Sequence, residues 1–144
     1  MKILEYDDRY RDRAISFVSK FYHEEGLAKL GKFDPVQAYL TLAPYKYLVW
    51  LLEVKGKVVG IFGGMPRKSP IGPEGVFQEI IWYVLPEFRK YSIRFFKRVC
   101  EKIKDKDFQI MVTGCIENKN LDRMKKLYNK LGFKLLELQY IKKL

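Results

Sequence analysis

The strongest constraint on this chain is a change of pattern at Pro86. Residues 76–85 are its longest run of strand formers, rich in Val, Ile and aromatic side chains. Proline has no N–H to give to a ladder, so the strand must stop there. Residues 92–104 then repeat at helical spacing. Ile93, Phe96, Val99, Cys100 and Ile103 share one face, and Lys97, Arg98, Glu101 and Lys104 face outward. A loop that ends a strand and opens a helix presents backbone N–H groups at the positive end of the helix dipole, which suits an anion.

The rest of the chain alternates in the same way. Residues 3–6 read as a short strand. Asp7 or Asp8 can cap a helix with Tyr10, Ala14, Phe17, Val18 and Phe21 on one face. Residues 26–31 are a break. Asp34-Pro35 reads as a helix start, with Asp as cap and Pro where its missing N–H costs nothing, and that helix ends before Pro44. Residues 47–54 and 58–62 read as a hairpin around Lys55-Gly56-Lys57. Residues 66–75 hold three prolines and two glycines and read as a loop. Residues 108–113 are a further strand. Asn118 or Asn120 caps a last helix with Leu121, Met124, Leu127, Tyr128 and Leu131 on its inner face, and Gly132 supplies its left-handed stop. Residues 133–141 read as the final strand. The predicted order is β-α-α-β-β-β-α-β-α-β, an α/β (α+β layered) fold with helices on both faces of one sheet.

Composition narrows the function. A chain of 144 residues with 48% apolar side chains suits one globular domain, residues 1–144. No apolar run approaches the ~20 residues of a membrane span. Residues 1–8 turn acidic too early for a signal peptide, so a cytoplasmic location is expected. The cysteines, Cys100 and Cys115, lie in separate elements and form no disulfide framework. With His23 as the only histidine, a Cys/His zinc site and a Cys-His or Ser-His nucleophile are both disfavoured, and no metal is expected. The net charge of +11 attracts anions: nucleic acid, acidic lipid surfaces or a polyphosphate cofactor.

Two segments carry a resemblance. Tyr83-Val84-Leu85-Pro86-Glu87-Phe88-Arg89 resembles the "V-x-P-E-[YF]-R" strand-to-helix turn of the GNAT acetyltransferase family, and Leu127-Tyr128-Asn129-Lys130-Leu131-Gly132-Phe133 is similar to its "LY-x-K-L-G-F" signature. They stand in the family's order, and the element pattern extends the likeness over nearly the whole chain.

The resemblance implies an N-acetyltransferase that uses acetyl-CoA and acts on an amine acceptor. It places the pantetheine arm along Trp82, Tyr83, Val84 and Leu85, and the pyrophosphate at Arg89, Lys90, Tyr91, Ser92, Ile93 and Arg94. It makes Tyr128 the general acid that protonates the departing thiolate. It lets Asn120 bond the cofactor, with Asn118 as the competing candidate. The general base falls on the long strand, at Glu79 or at its neighbour Gln78; Glu74 is a weaker candidate, and Glu87 reads as a charge at the start of the helix. The family's loop continues "[QR]-x-x-G-x-[GA]", whereas Ser92 and Arg94 stand here at the glycine positions. Glycine lets phosphate approach the backbone. Ser92 can instead cap or donate, and Arg94 can reach a phosphate with its guanidinium. The alternative is a non-catalytic relative whose loop has lost the cofactor. It would bind nucleic acid or an acidic partner through Arg89, Lys90, Arg94, Lys97 and Arg98, with Tyr91 available for stacking. His23 reads as a surface or capping residue, and Cys100 as core.

Overall fold

The computed structural model describes residues 1–69 and 71–144, so Pro70 of the predicted loop lies outside the described residues. Two units are distinguished, Met1–Gly114 and Cys115–Leu144. The first holds a sheet in the order β1 (Lys2–Glu5), β2 (Val49–Val54), β3 (Lys57–Lys68), β4 (Gly75–Val84), β5 (Ile110–Val112). The first three pairings are antiparallel. β4 and β5 are parallel, as a pair joined by a crossover helix must be.

Strand alternation divides the core in two. Val49, Leu51, Ile61, Ile81 and Tyr83 pack against Ala14 and Phe17 of α1 (Arg11–Glu24). On the other face, Phe62 and Trp82 meet Phe96 of α3 (Ser92–Asp105), with ring centroids 5.7 and 4.6 Å apart. Helices therefore cover both faces, as the periodicity predicts. Phe95 is also fully buried, which widens the apolar face of α3 beyond the residues at regular spacing.

Local chemistry sets the ends of these elements. Asp34 caps α2 (Pro35–Leu42), its carboxylate accepting from the N–H of Val36 at 2.9 Å and of Gln37 at 3.2 Å. Asp7 does the same for the turn before α1, accepting from Arg9 N–H at 2.9 Å. Lys55 and Gly56 both take positive φ, the geometry of a tight hairpin turn.

Two expectations change. β3 runs on through Pro66 to Lys68, pairing Lys68 with Gly75, so strand replaces part of the predicted loop. The proline is tolerated because β3 pairs with β2 only as far as Gly63. The predicted strand over 133–141 does not form; residues 133–144 carry no regular structure. Leu135, Leu136, Leu138, Tyr140 and Ile141 are exposed there. An apolar strand pattern becomes a strand only when another strand takes its backbone groups, and no pairing is made to it among the described residues.

In the second unit α4 runs from Leu121 to Lys130. Asn118 accepts from Asn120 N–H at 2.9 Å through its side chain, and Asn120 occupies the cap position without a side-chain cap bond. Gly132 takes φ 89° just beyond the helix, the left-handed stop expected of it.

Candidate active site

The site is built where β4 leaves β5. The two strands pair only from Val76↔Ile110 to Gln78↔Val112, while β4 continues to Val84 beside β3 alone. The departure coincides with a bulge. Gly63 pairs with Ile81 and Gly64 with Glu79, which leaves Ile80 as the extra residue. Gly64 makes the irregularity possible, because the Phe77 ring and the Gln78 carbonyl occupy the space a Cβ would need. Beyond the bulge, Leu85 N–H donates to the Val59 carbonyl at 2.9 Å. Residues 83 and 85 thus turn their backbone groups toward β3. By alternation Trp82 and Val84 turn theirs toward the side that β5 has left.

Glu79 stands at the base of this fork. It is half-buried, and its carboxylate accepts from the N–H of Gly114, just past β5. Burial pushes its pKa up to about 7, and the Gly114 bond offsets only part of that effect. Gln78, the other candidate base, is engaged otherwise. Its amide donates to the carbonyls of Glu79 at 3.1 Å and Val112 at 3.5 Å, and Arg67 donates to its oxygen at 3.2 Å. Gln78 therefore pins the last rung before the strands part. Glu74 is exposed in the loop before β4, and Glu87 lies exposed in the turn before α3.

That turn, Pro86–Tyr91, is a 3₁₀ run leading straight into α3. Ser92 N–H already donates to the Arg89 carbonyl. Arg89 is exposed but held at two points. Its Nη2 meets Glu24 of α1 at 2.7 Å, and its Nε donates to the Val84 carbonyl at 3.2 Å. The Tyr83 hydroxyl donates to the other Glu24 oxygen at 2.7 Å. Burial and this carboxylate push the tyrosine's pKa up to about 12. Lys90 lies over the Tyr91 ring at 5.3 Å. Ser92 is half-buried, and Ile93 and Arg94 are exposed in the first turn of α3. Arg94 borders a shallow groove beside β1 together with Ile3, Arg98 and Lys102. Fork, bulge and turn bring Glu79, Trp82, Val84, Leu85 and Arg89 onto one strand and its continuation, and Arg94 sits one turn of helix further on. Sequence reading missed Glu24 and Arg67. Their partners are 65 and 11 residues away, and no local pattern announces such pairs.

The two remaining candidates belong to the second unit. Tyr128 is buried on α4, its ring edge-on to Phe133 at 5.4 Å. Asn120 is half-buried at the start of that helix.

The chain, a mixed five-stranded sheet with helices on both faces, has the fold of the GNAT acetyltransferases. It is similar over its whole length to a ribosomal-protein-alanine N-acetyltransferase from Brucella melitensis biovar Abortus 2308, with 13% identity, TM-score 0.75 and 100% of both chains covered. A possible acetyltransferase from Clostridium difficile 630 matches at 18% identity and TM-score 0.75, covering 99% of this chain and 95% of that one. The aminoglycoside acetyltransferase AAC(6')-Iy, in complex with a bisubstrate analogue, CoA-S-monomethyl-acetylneamine, matches at 15% identity and TM-score 0.74, covering 99% and 98%. No family model matches the sequence, and no curated protein does.

Proposed function

We propose that this protein is an N-acetyltransferase that moves an acetyl group from acetyl-CoA directly to an amine. The observation that carries the reading is the fork between β4 and β5 with Glu79 at its base. A strand edge that its neighbour has left offers backbone groups to the amides of a pantetheine arm. The cations Arg89, Lys90 and Arg94 around the start of α3 suit a pyrophosphate. Structures of this fold that hold CoA or a CoA-linked analogue support the choice of cosubstrate.

The chemistry follows from the groups present. An amine is nucleophilic only after it loses its extra proton. A carboxylate with a pKa near 7 is about half ionised at neutral pH and can take that proton. The amine nitrogen then attacks the thioester carbonyl, the C–S bond breaks, and the second proton the nitrogen sheds as the amide forms balances the one given to the leaving thiolate. The thiolate leaves with a proton, for which Tyr128 is our candidate donor.

The test is calorimetry with acetyl-CoA, followed by assay of free thiol release with a polyamine, an aminoglycoside and a peptide α-amine. Binding, and thiol release with at least one amine, is expected. No heat and no melting shift at millimolar acetyl-CoA would overturn the proposal.

A further inference from the structure

Glu24 lies at the end of α1, outside both motif segments, and yet it grips two residues of the fork. One of its oxygens accepts from the Tyr83 hydroxyl at 2.7 Å, and the other meets Arg89 Nη2 at 2.7 Å. The same guanidinium, through Nε, covers the Val84 carbonyl at 3.2 Å. That carbonyl faces the side that β5 has left, where a ligand amide N–H would need an acceptor. The planar fork of arginine makes the double hold possible, because its N–H groups are fixed in direction relative to one another.

We infer that Glu24 is a positioning residue of the cofactor edge: acting through Arg89, it decides whether the Val84 carbonyl is closed or open to a ligand amide. The inference rests on the acetyl-CoA reading above. In the structure described here the edge is closed. A ligand amide that pairs with Val84 competes with Nε for that oxygen, and a guanidinium displaced from it is then available to an anion. Arg89 thus opposes the pantetheine arm and favours the phosphates, with Glu24 setting the balance. A residue that merely packed α1 against β4 would affect both parts of the ligand alike.

The experiment separates the two parts by using pantetheine, which has no phosphate, beside CoA. Dissociation constants are measured by calorimetry for the wild type, Arg89→Ala, Arg89→Lys, Glu24→Gln and the double variant Arg89→Ala/Glu24→Gln. Thermal melts confirm folding. Arg89→Ala should tighten pantetheine by about 2- to 10-fold, the equivalent of one net hydrogen bond. Arg89→Lys should do likewise, since an ammonium paired with Glu24 has no second, fixed N–H for the carbonyl. Glu24→Gln should tighten CoA more than pantetheine, because the released arginine remains to meet phosphate. The double variant should add nothing to Arg89→Ala for pantetheine. Unchanged or weaker pantetheine binding in both Arg89 variants, with CoA still bound, overturns the inference and leaves the acetyl-CoA reading standing. No binding of either ligand to any of these proteins overturns both.

Discussion

The burial of one carboxyl group makes Glu79 the most informative single residue. Its pKa is raised from 4.5 to about 7, so between those values the folded protein holds a proton that the unfolded chain releases. Its contribution to stability is therefore fully present below about pH 4.5 and is lost as pH rises through about 7. The amount is on the order of 1–3 kcal/mol. Glu79→Gln keeps an oxygen for the Gly114 N–H and has no charge to bury. It should melt several degrees above the wild type at pH 8 and level with it near pH 4.5, as calorimetric scans would show. If Glu79 is the base, the wild-type rate should fall below about pH 7, and Glu79→Gln should lose about 10²- to 10⁴-fold in kcat. For Tyr128 the expected result is different. Tyr128→Phe removes the hydroxyl and keeps the ring against Phe133. A loss of about 10-fold or more in kcat with CoA binding unchanged identifies the acid. An unchanged kcat, with chemistry rate-limiting, removes Tyr128 from the mechanism.

At the scale of elements, the bulge in β4 is the device that matters. It lies just beyond the last pair with β5 and places Glu79 opposite Gly64. The glycine is there for space: a methyl group would meet the Gln78 carbonyl and the Phe77 ring. Gly64→Ala should therefore destabilise the fold by about 1–3 kcal/mol and displace Glu79, so denaturant midpoints and kcat should fall together. Gly56 offers a control of another kind. It has open space around it and a positive φ, so Gly56→Ala costs backbone strain and leaves the fork intact. The strand, the proline stop and the helix of this region were legible in sequence because each rests on near neighbours. The bulge was not, since an extra residue in one strand shows only against its partner strand.

For the whole molecule, the net charge of +11 bears on binding more than on folding. Acetyl-CoA at 100 times its dissociation constant should stabilise the protein by about 2.7 kcal/mol. Ionic contacts at partly exposed cations weaken as salt rises, so this melting shift should shrink between low and high salt. A shift independent of salt would mean that phosphate contacts contribute little, and that the binding rests on the pantetheine edge.

The sequence by itself determined the order of elements through β5 and α4, the helix start at Asp34 and the stop at Gly132, and the apolar faces of α1 and α3; it left the first cap between Asp7 and Asp8. Each follows from periodicity or from a residue acting on its own backbone. The family likeness also put Tyr128 forward, and left the base between Glu79 and Gln78 on the long strand. Only tertiary structure decided the rest. Burial, not residue type, raises Glu79 toward neutrality. Contact with Glu24 holds the Arg89 guanidinium beside the Val84 carbonyl. The want of a pairing partner leaves residues 133–144 without a strand despite their pattern. In all three cases the deciding energy comes from groups far apart in the chain, and a sequence pattern carries no record of which distant groups will meet.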